Sequence, residues 1–157
     1  MKEFDIEERV KIAVQNFESG YNCAQSVFLA YSDVFELNLD MAKKMSVSFG
    51  GGVGRMREIC GTVSAMAMLA GFKYPVLDQQ DQKARAKNYA IVRKMSDLFK
   101  EKHDTIICRS LLPAAEASQT APEPSARTAE YYAKRPCSKY VEDAARIAGR
   151  MLKNELD

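Results

Sequence analysis

Apolar residues recur at spacings of three and four along most of the chain and nowhere with the alternation of a strand, so the pattern predicts an all-α fold. A first helix carries Ile6, Val10, Ala13, Val14 and Phe17 on one face and stops near Gly20. A second opens behind Asn22, a favourable N-cap, and turns Val27, Phe28, Tyr31 and Phe35 inward. A third runs from about Asp40 through Met45 to Phe49, and the break Gly50-Gly51-Gly52-Val53-Gly54 follows it. The fourth, placed at about 57–71, is apolar on nearly every side and rich in small residues. That composition predicts a central helix buried all round and ended by Gly71 and Pro75. A long amphipathic helix over about 78–102 presents Ala84, Ile91, Met95 and Leu98 to the core. Asp104 is the expected N-cap of a short helix reaching Leu112. Pro113, Pro122 and Pro124 mark 113–126 as a Pro/Ala-rich loop, long enough to suggest a functional or mobile segment. The last helix starts near Pro136 and continues through Tyr140, Val141, Ala144, Ala148 and Met151. The expectation is a compact multi-helix bundle, one domain over 1–157, built around the helix that follows the glycine loop.

Composition narrows the classes. With 157 residues, 46% of them hydrophobic, the chain can build a core without disulfides. A net charge of +2, from 23 basic and 21 acidic residues mixed along the chain, gives no case for nucleic acid or an anionic membrane. The first ten residues are acidic where a signal peptide is apolar. The longest uncharged run, 59–72, has 14 residues, and a spanning helix needs about 20. The expected location is the cytoplasm, without membrane insertion. There, Cys23, Cys60, Cys108 and Cys137 are more naturally thiols, metal ligands or redox centres than resting disulfides.

The four cysteines share a position. Cys23 follows the Asn22 cap, Cys60 lies about a turn into the central helix, Cys108 is four past Asp104, and Cys137 follows Pro136. Free N–H groups and the helix dipole favour negative charge at a helix start, which is one way a thiol becomes a reactive thiolate. The effect should be strongest for Cys23 and Cys137 and weakest for Cys60 and Cys108. Cys23, Cys108 and Cys137 each precede an apolar residue, Val27, Leu112 or Val141, by four, so these thiols point along inward faces. A single inward cysteine is most often small core filler; the shared placement speaks against that for the set. The cysteines are separated by 36, 47 and 28 residues, no C-x-x-C occurs, and His103 is the single histidine. A zinc finger or ribbon is therefore disfavoured, a thioredoxin-like C-x-x-C on a βαβ unit is excluded, and an iron–sulfur cluster on four distant thiolates stays open.

Gly50, Gly51, Gly52 and Gly54, followed by Arg55 and Arg57, resemble neither a P-loop nor a dinucleotide fingerprint, since no strand precedes them and no Lys-Ser/Thr pair follows. They fit a tight turn needing positive φ or close backbone approach. They also fit a small binding loop in which bare backbone gives access to Cys60 and Arg55 and Arg57 attract an anionic or thiol ligand. His103 beside Asp104 is a weaker candidate, as a general base.

The segment Gly20-Tyr21-Asn22-Cys23-Ala24-Gln25-Ser26-Val27, and Phe49 to Gly54 followed by Cys60-Gly61-Thr62-Val63-Ser64-Ala65, carry a resemblance over about residues 6–152. The chain resembles the redox-active protein family named for four cysteines and a CGAxxG box. Cys108 with Leu111 and Leu112, and Cys137 ahead of Val141, resemble its third and fourth cysteine sites. Thr62 and Ala65 stand where the box usually has Ala and Gly. The resemblance implies a redox role for the four thiols, in bacteria, often encoded near transporter genes. If the protein is an enzyme, oxidoreductase is the class.

Three readings stand at this stage. In the first, two cysteines, with Cys23 and Cys60 favoured, attack and resolve a disulfide, and Cys108 and Cys137 form a second pair or relay. The partner is an unidentified redox protein or small thiol, and no cofactor is required. In the second, the four thiolates hold an iron–sulfur cluster or a metal ion. In the third, the chain is a non-catalytic helical accessory module for a transporter. A homodimer is left open by all three.

Overall fold

The structure is a computed structural model that describes residues 1–156. Its helices are α1 (Ile6–Glu18), α2 (Cys23–Ser32), α3 (Leu39–Ser46), α4 (Gly61–Lys73), α5 (Gln82–His103), α6 (Cys108–Leu111), α7 (Ala114–Ala117), α8 (Ala129–Lys134) and α9 (Cys137–Leu152). Among the described residues there is no strand, only an isolated antiparallel bridge between Ile59 and Ile107. The fold is all-α, as the apolar spacing predicts. Among the described residues, no helix is long and apolar enough to cross a membrane.

Local chemistry sets the helix starts. The Asn22 side chain accepts from the Gln25 N–H and the Gln25 side chain accepts from the Asn22 N–H, a reciprocal cap that fixes the start of α2 at Cys23. Asn38, not Asp40, caps α3 by accepting from the N–H groups of Asp40 and Met41. Asp81 caps α5 through the Ala84 N–H.

Several boundaries differ from expectation. The central helix starts at Gly61 rather than 57, because Val53, Arg55 and Arg57 hold positive φ and cannot belong to a right-handed helix. It runs through Gly71 to Lys73, since one helical glycine is tolerated. Asp104 is no N-cap. It takes φ 67° at the end of α5 and donates its N–H to Lys100 O, and the short helix is the single turn α6. The loop after Leu112 contains α7, and α8 follows it unforeseen. Six residues are too few to show periodicity. Tertiary contacts hold α8 instead, with Tyr132 Oη donating to the end of α1 at Phe17 O and Glu18 O.

The core lies where α4 packs against α2 and α9, with α1 and α5 outside them. Val63, Ala65, Met66, Leu69 and Ala70 of α4 are all buried, as predicted for a central helix. Two polar ties fix α9. Tyr31 Oη, fully buried, donates to Ala145 O at 2.8 Å, and a Cβ at Gly149 would stand 2.6 Å from that oxygen. Asp143, also buried, accepts from Lys102 at 3.0 Å and faces His103 Nε2 at 3.1 Å, joining α9 to α5. His103 is thus a structural partner, packed on Phe99 and Tyr140, and does not stand free as a base. Burial pushes the Asp143 carboxyl up, but Lys102, Lys139 and His103 outweigh it and hold the carboxyl below its ordinary value.

Overpacking costs about 1–3 kcal/mol, more than the gain of about 1 kcal/mol when a helical glycine becomes alanine. Gly149→Ala should therefore lower the urea midpoint. Combined with Tyr31→Phe, it should cost less than the two single losses added, and strict additivity would contradict the contact. Asp143 contributes stability above the ordinary carboxylate range, and that stability is lost as pH falls through its lowered pKa. Asp143→Asn should destabilise the protein at neutral pH and flatten the acid side of its stability profile, measured by thermal melting across pH.

Candidate four-cysteine cavity

One cavity of about 460 Å³ is lined by all four cysteines. Their helices explain why. The packed helices α2, α4 and α9 all start at this cavity and run away from it, and α6 adds a fourth start. Cys23 is the first residue of α2, Cys60 the N-cap of α4, Cys108 the first residue of α6 and Cys137 the first of α9. The expected placement at helix starts holds for all four, and Cys60 sits nearer its start than its assumed turn into the helix. All four are free thiols.

Specific contacts hold the sulfurs of Cys23 and Cys60 and the backbone of Cys108. A Cβ at Gly61 would lie 2.5 Å from Cys23 Sγ, so the sulfur of Cys23 packs onto the first residue of α4. Cys60 Sγ shares a hydrogen bond of 3.1 Å with Thr62 Oγ1, and its N–H donates to Ile106 O at 2.8 Å. The Cys108 N–H donates to Glu58 O at 2.6 Å, tying α6 to the chain just before Cys60. Cys60 and Cys108 are buried; Cys23 and Cys137 are half-buried.

The glycine loop does what its composition predicts, at other targets than expected. Gly51, Gly52 and Gly54 hold φ of 63°, 70° and 54°, within a left-handed run that also takes in Val53 and Arg55. Gly50 lies against the Asn22 side chain, where a Cβ would not fit. A Cβ at Gly52 would stand 2.7 Å from Cys108 Cβ. The bare backbone thus admits Asn22 and Cys108. Gly50, Gly51, Gly54 and Arg55 line the cavity; Gly52 lies buried beneath Cys108, outside the lining.

Arginines and the proline-bearing loop close the other side. Arg55 Nη1 donates to Ala121 O at 2.6 Å and Nη2 to Ser125 Oγ at 2.8 Å. Arg57 Nε and Nη2 donate to Gln119 O at 3.2 and 2.9 Å. Arg135 pairs with Glu116 at 2.7 Å and donates to Ser125 Oγ at 3.2 Å. Arg127 stacks on Phe17 and Tyr131, each 4.7 Å from its guanidinium carbon, and donates to the carbonyls of Phe17 and Tyr21. The 113–126 loop is therefore strapped over the thiols, with Pro122, Pro124 and Ser125 facing the cavity. Arg127, Arg135 and Tyr131 join the site only through these tertiary contacts. The sole advance signal was two arginines flanking a short Tyr-Tyr segment.

The helix starts do not make every thiol acidic. Burial pushes Cys60 and Cys108 up, and pushes Cys137 up to about 12. In each case a negative charge on Cys23 is the next largest cause. The expectation that Cys23 and Cys137 gain most from their helix starts is corrected for Cys137: desolvation of its thiolate outweighs a dipole effect confined to one turn. At neutral pH these three are protonated thiols. Among the described residues, no group of three or more His, Cys, Asp or Glu is placed to hold a metal ion, so the cysteines as arranged do not fit the cluster-ligand reading.

No curated protein and no solved structure matches the chain. The family described as "Putative redox-active protein (C_GCAxxG_C_C)" matches residues 21–151, a span that holds all four cysteines and the glycine loop. With four cysteines gathered at one cavity and the family pattern covering most of its length, the chain belongs to this redox-active protein family.

Proposed function

We propose that the protein performs thiol–disulfide redox chemistry in this cavity, with Cys23 as the attacking thiolate. The observation that carries the reading is the meeting of four free cysteines, from four distant segments, around one space. Cysteines serving as small core hydrophobes have no reason to share a cavity. Free thiols as the resting state suit the reducing cytoplasm.

The chemistry proceeds in two exchanges. The Cys23 thiolate attacks one sulfur of a small disulfide, whose S–S bond breaks; one half leaves as a thiolate and takes a proton from water. A second cysteine then attacks Cys23 Sγ, closing a protein disulfide and releasing the other half as a thiol. Two protein thiols lose two electrons and two protons, and the small disulfide gains both. Cys60 is the favoured resolving thiol, because its neighbour Gly61 touches Cys23 Sγ. Burial, and after it a negative charge on Cys23, keeps Cys60 protonated at rest. Once Cys23 is a neutral mixed disulfide, that repulsion is gone and Cys60 ionises more readily. Cys108 and Cys137 form a second pair or relay.

Mild oxidation of the reduced protein with a small disulfide, followed by alkylation and peptide mapping, should yield a protein disulfide that includes Cys23. Dithiothreitol should reverse it, and Cys23→Ser should prevent it while leaving the fold intact by circular dichroism. Four cysteines that remain free under these conditions would overturn the proposal.

A further inference from the structure

The charge around the cavity is one-sided. Arg55, Arg57, Arg127 and Arg135 line it, and among the described residues no Asp or Glu does. Of the four, only Arg135 has a carboxylate partner among the described residues, Glu116. Arg55 and Arg127 donate to carbonyl and hydroxyl oxygens alone. Arg57 is the sharpest case. It is 3% exposed, its Nε and Nη2 go to Gln119 O, and its Nη1 reaches only Cys108 Sγ, at 4.0 Å. A buried guanidinium without a counter-ion is costly, and proteins ordinarily pair one with a carboxylate. The cluster also strains itself. The Arg55 cation is disfavoured first by burial and then by the charges of Arg57 and Arg135. Glu123 opposes this only weakly, and Glu58, the acid next to Arg57 in the chain, is engaged outside with Arg109.

We infer that the cavity is built for an anionic substrate, a small disulfide bearing carboxylate groups, with Arg57 as the principal counter-ion beside the thiols. This rests on the thiol–disulfide reading and names the substrate class for it. A charged N–H donor makes a stronger hydrogen bond to a carboxylate oxygen than a neutral one does. Nη1 is the donor left for it, and Cys108 Sγ marks the direction in which it points. A carboxylate held there lies at the cavity wall, within the same space that the Cys23 sulfur faces. The lining includes the buried Leu111 and Leu112, so the charge attraction there is stronger than at an open, fully polar surface.

The test is a charge series on the reduced wild-type protein: dithiodiglycolate, hydroxyethyl disulfide and cystamine, which are dianionic, neutral and dicationic. Each rate of protein-thiol oxidation is divided by the rate of the same disulfide with dithiothreitol, which removes differences in intrinsic reactivity. The normalised rate should favour the dianion over the neutral disulfide by about tenfold or more, with the dication slowest. Arg57→Gln should reduce that preference to within about threefold, and Arg57→Lys, which keeps the charge, should retain most of it. Equal normalised rates for the three disulfides in the wild type would overturn the anion preference and leave the redox reading standing. This arm needs no variant to fold. Failure of all three to oxidise any cysteine would overturn the redox reading, and this inference with it.

Discussion

Gly61, the first residue of α4, has no side chain, and the sulfur of Cys23 fills the space one would take, 2.5 Å from where a Cβ would be. That close approach sets the depth at which α2 meets α4, and the rest of the site follows from it. The two helices bring Cys23 and Cys60 to one end of the core. The tie from Tyr31 to Ala145 brings α9 alongside and places Cys137 at the same end. The left-handed glycine segment must then turn sharply to reach Cys60, and in turning it packs Gly52 under Cys108. Four helix starts converge because the backbone between them has little bulk.

Two electrostatic effects compete at that convergence. Helix starts and arginines favour thiolates, and burial opposes them. Burial wins for Cys60, Cys108 and Cys137, which leaves a set of protonated thiols whose ionisation depends on the charge state of Cys23. The arginines, with a single carboxylate partner among the four, supply the complementary half, a positive wall facing the sulfurs.

Much of this was legible in the chain. Helical spacing gave the long elements, since amphipathic faces such as that of α9 are dictated by burial. Asn22 marked the start of α2, and the small, apolar run from Ile59 onward marked the central helix. Cys23 beside the Asn22 cap and Cys137 beside Pro136 carried helix-start signals, whereas Asp104, read as the signal for Cys108, ends α5 instead. What lay beyond reach was whatever needs tertiary contact. The run of positive φ that delays α4 to Gly61 involves Val53, Arg55 and Arg57, residue types that carry no such signal. The one-turn helices have no period to detect. Burial of Arg57, and the strap that Arg55 and Arg57 place across the 113–126 loop, join residues more than sixty apart in the chain.

The central claim is that the cysteines share one cavity closely enough to be bridged. A trivalent aryl arsenical tests it most directly, since its single arsenic atom condenses with two thiols, releases water, and requires them to be near neighbours. One equivalent of phenylarsine oxide on the reduced protein should protect two of the four cysteines from alkylation, Cys23 among them, with one arsenic bound per chain by mass. Binding should be lost on Cys23→Ser. Four cysteines that alkylate as fast with the arsenical as without it would contradict the account.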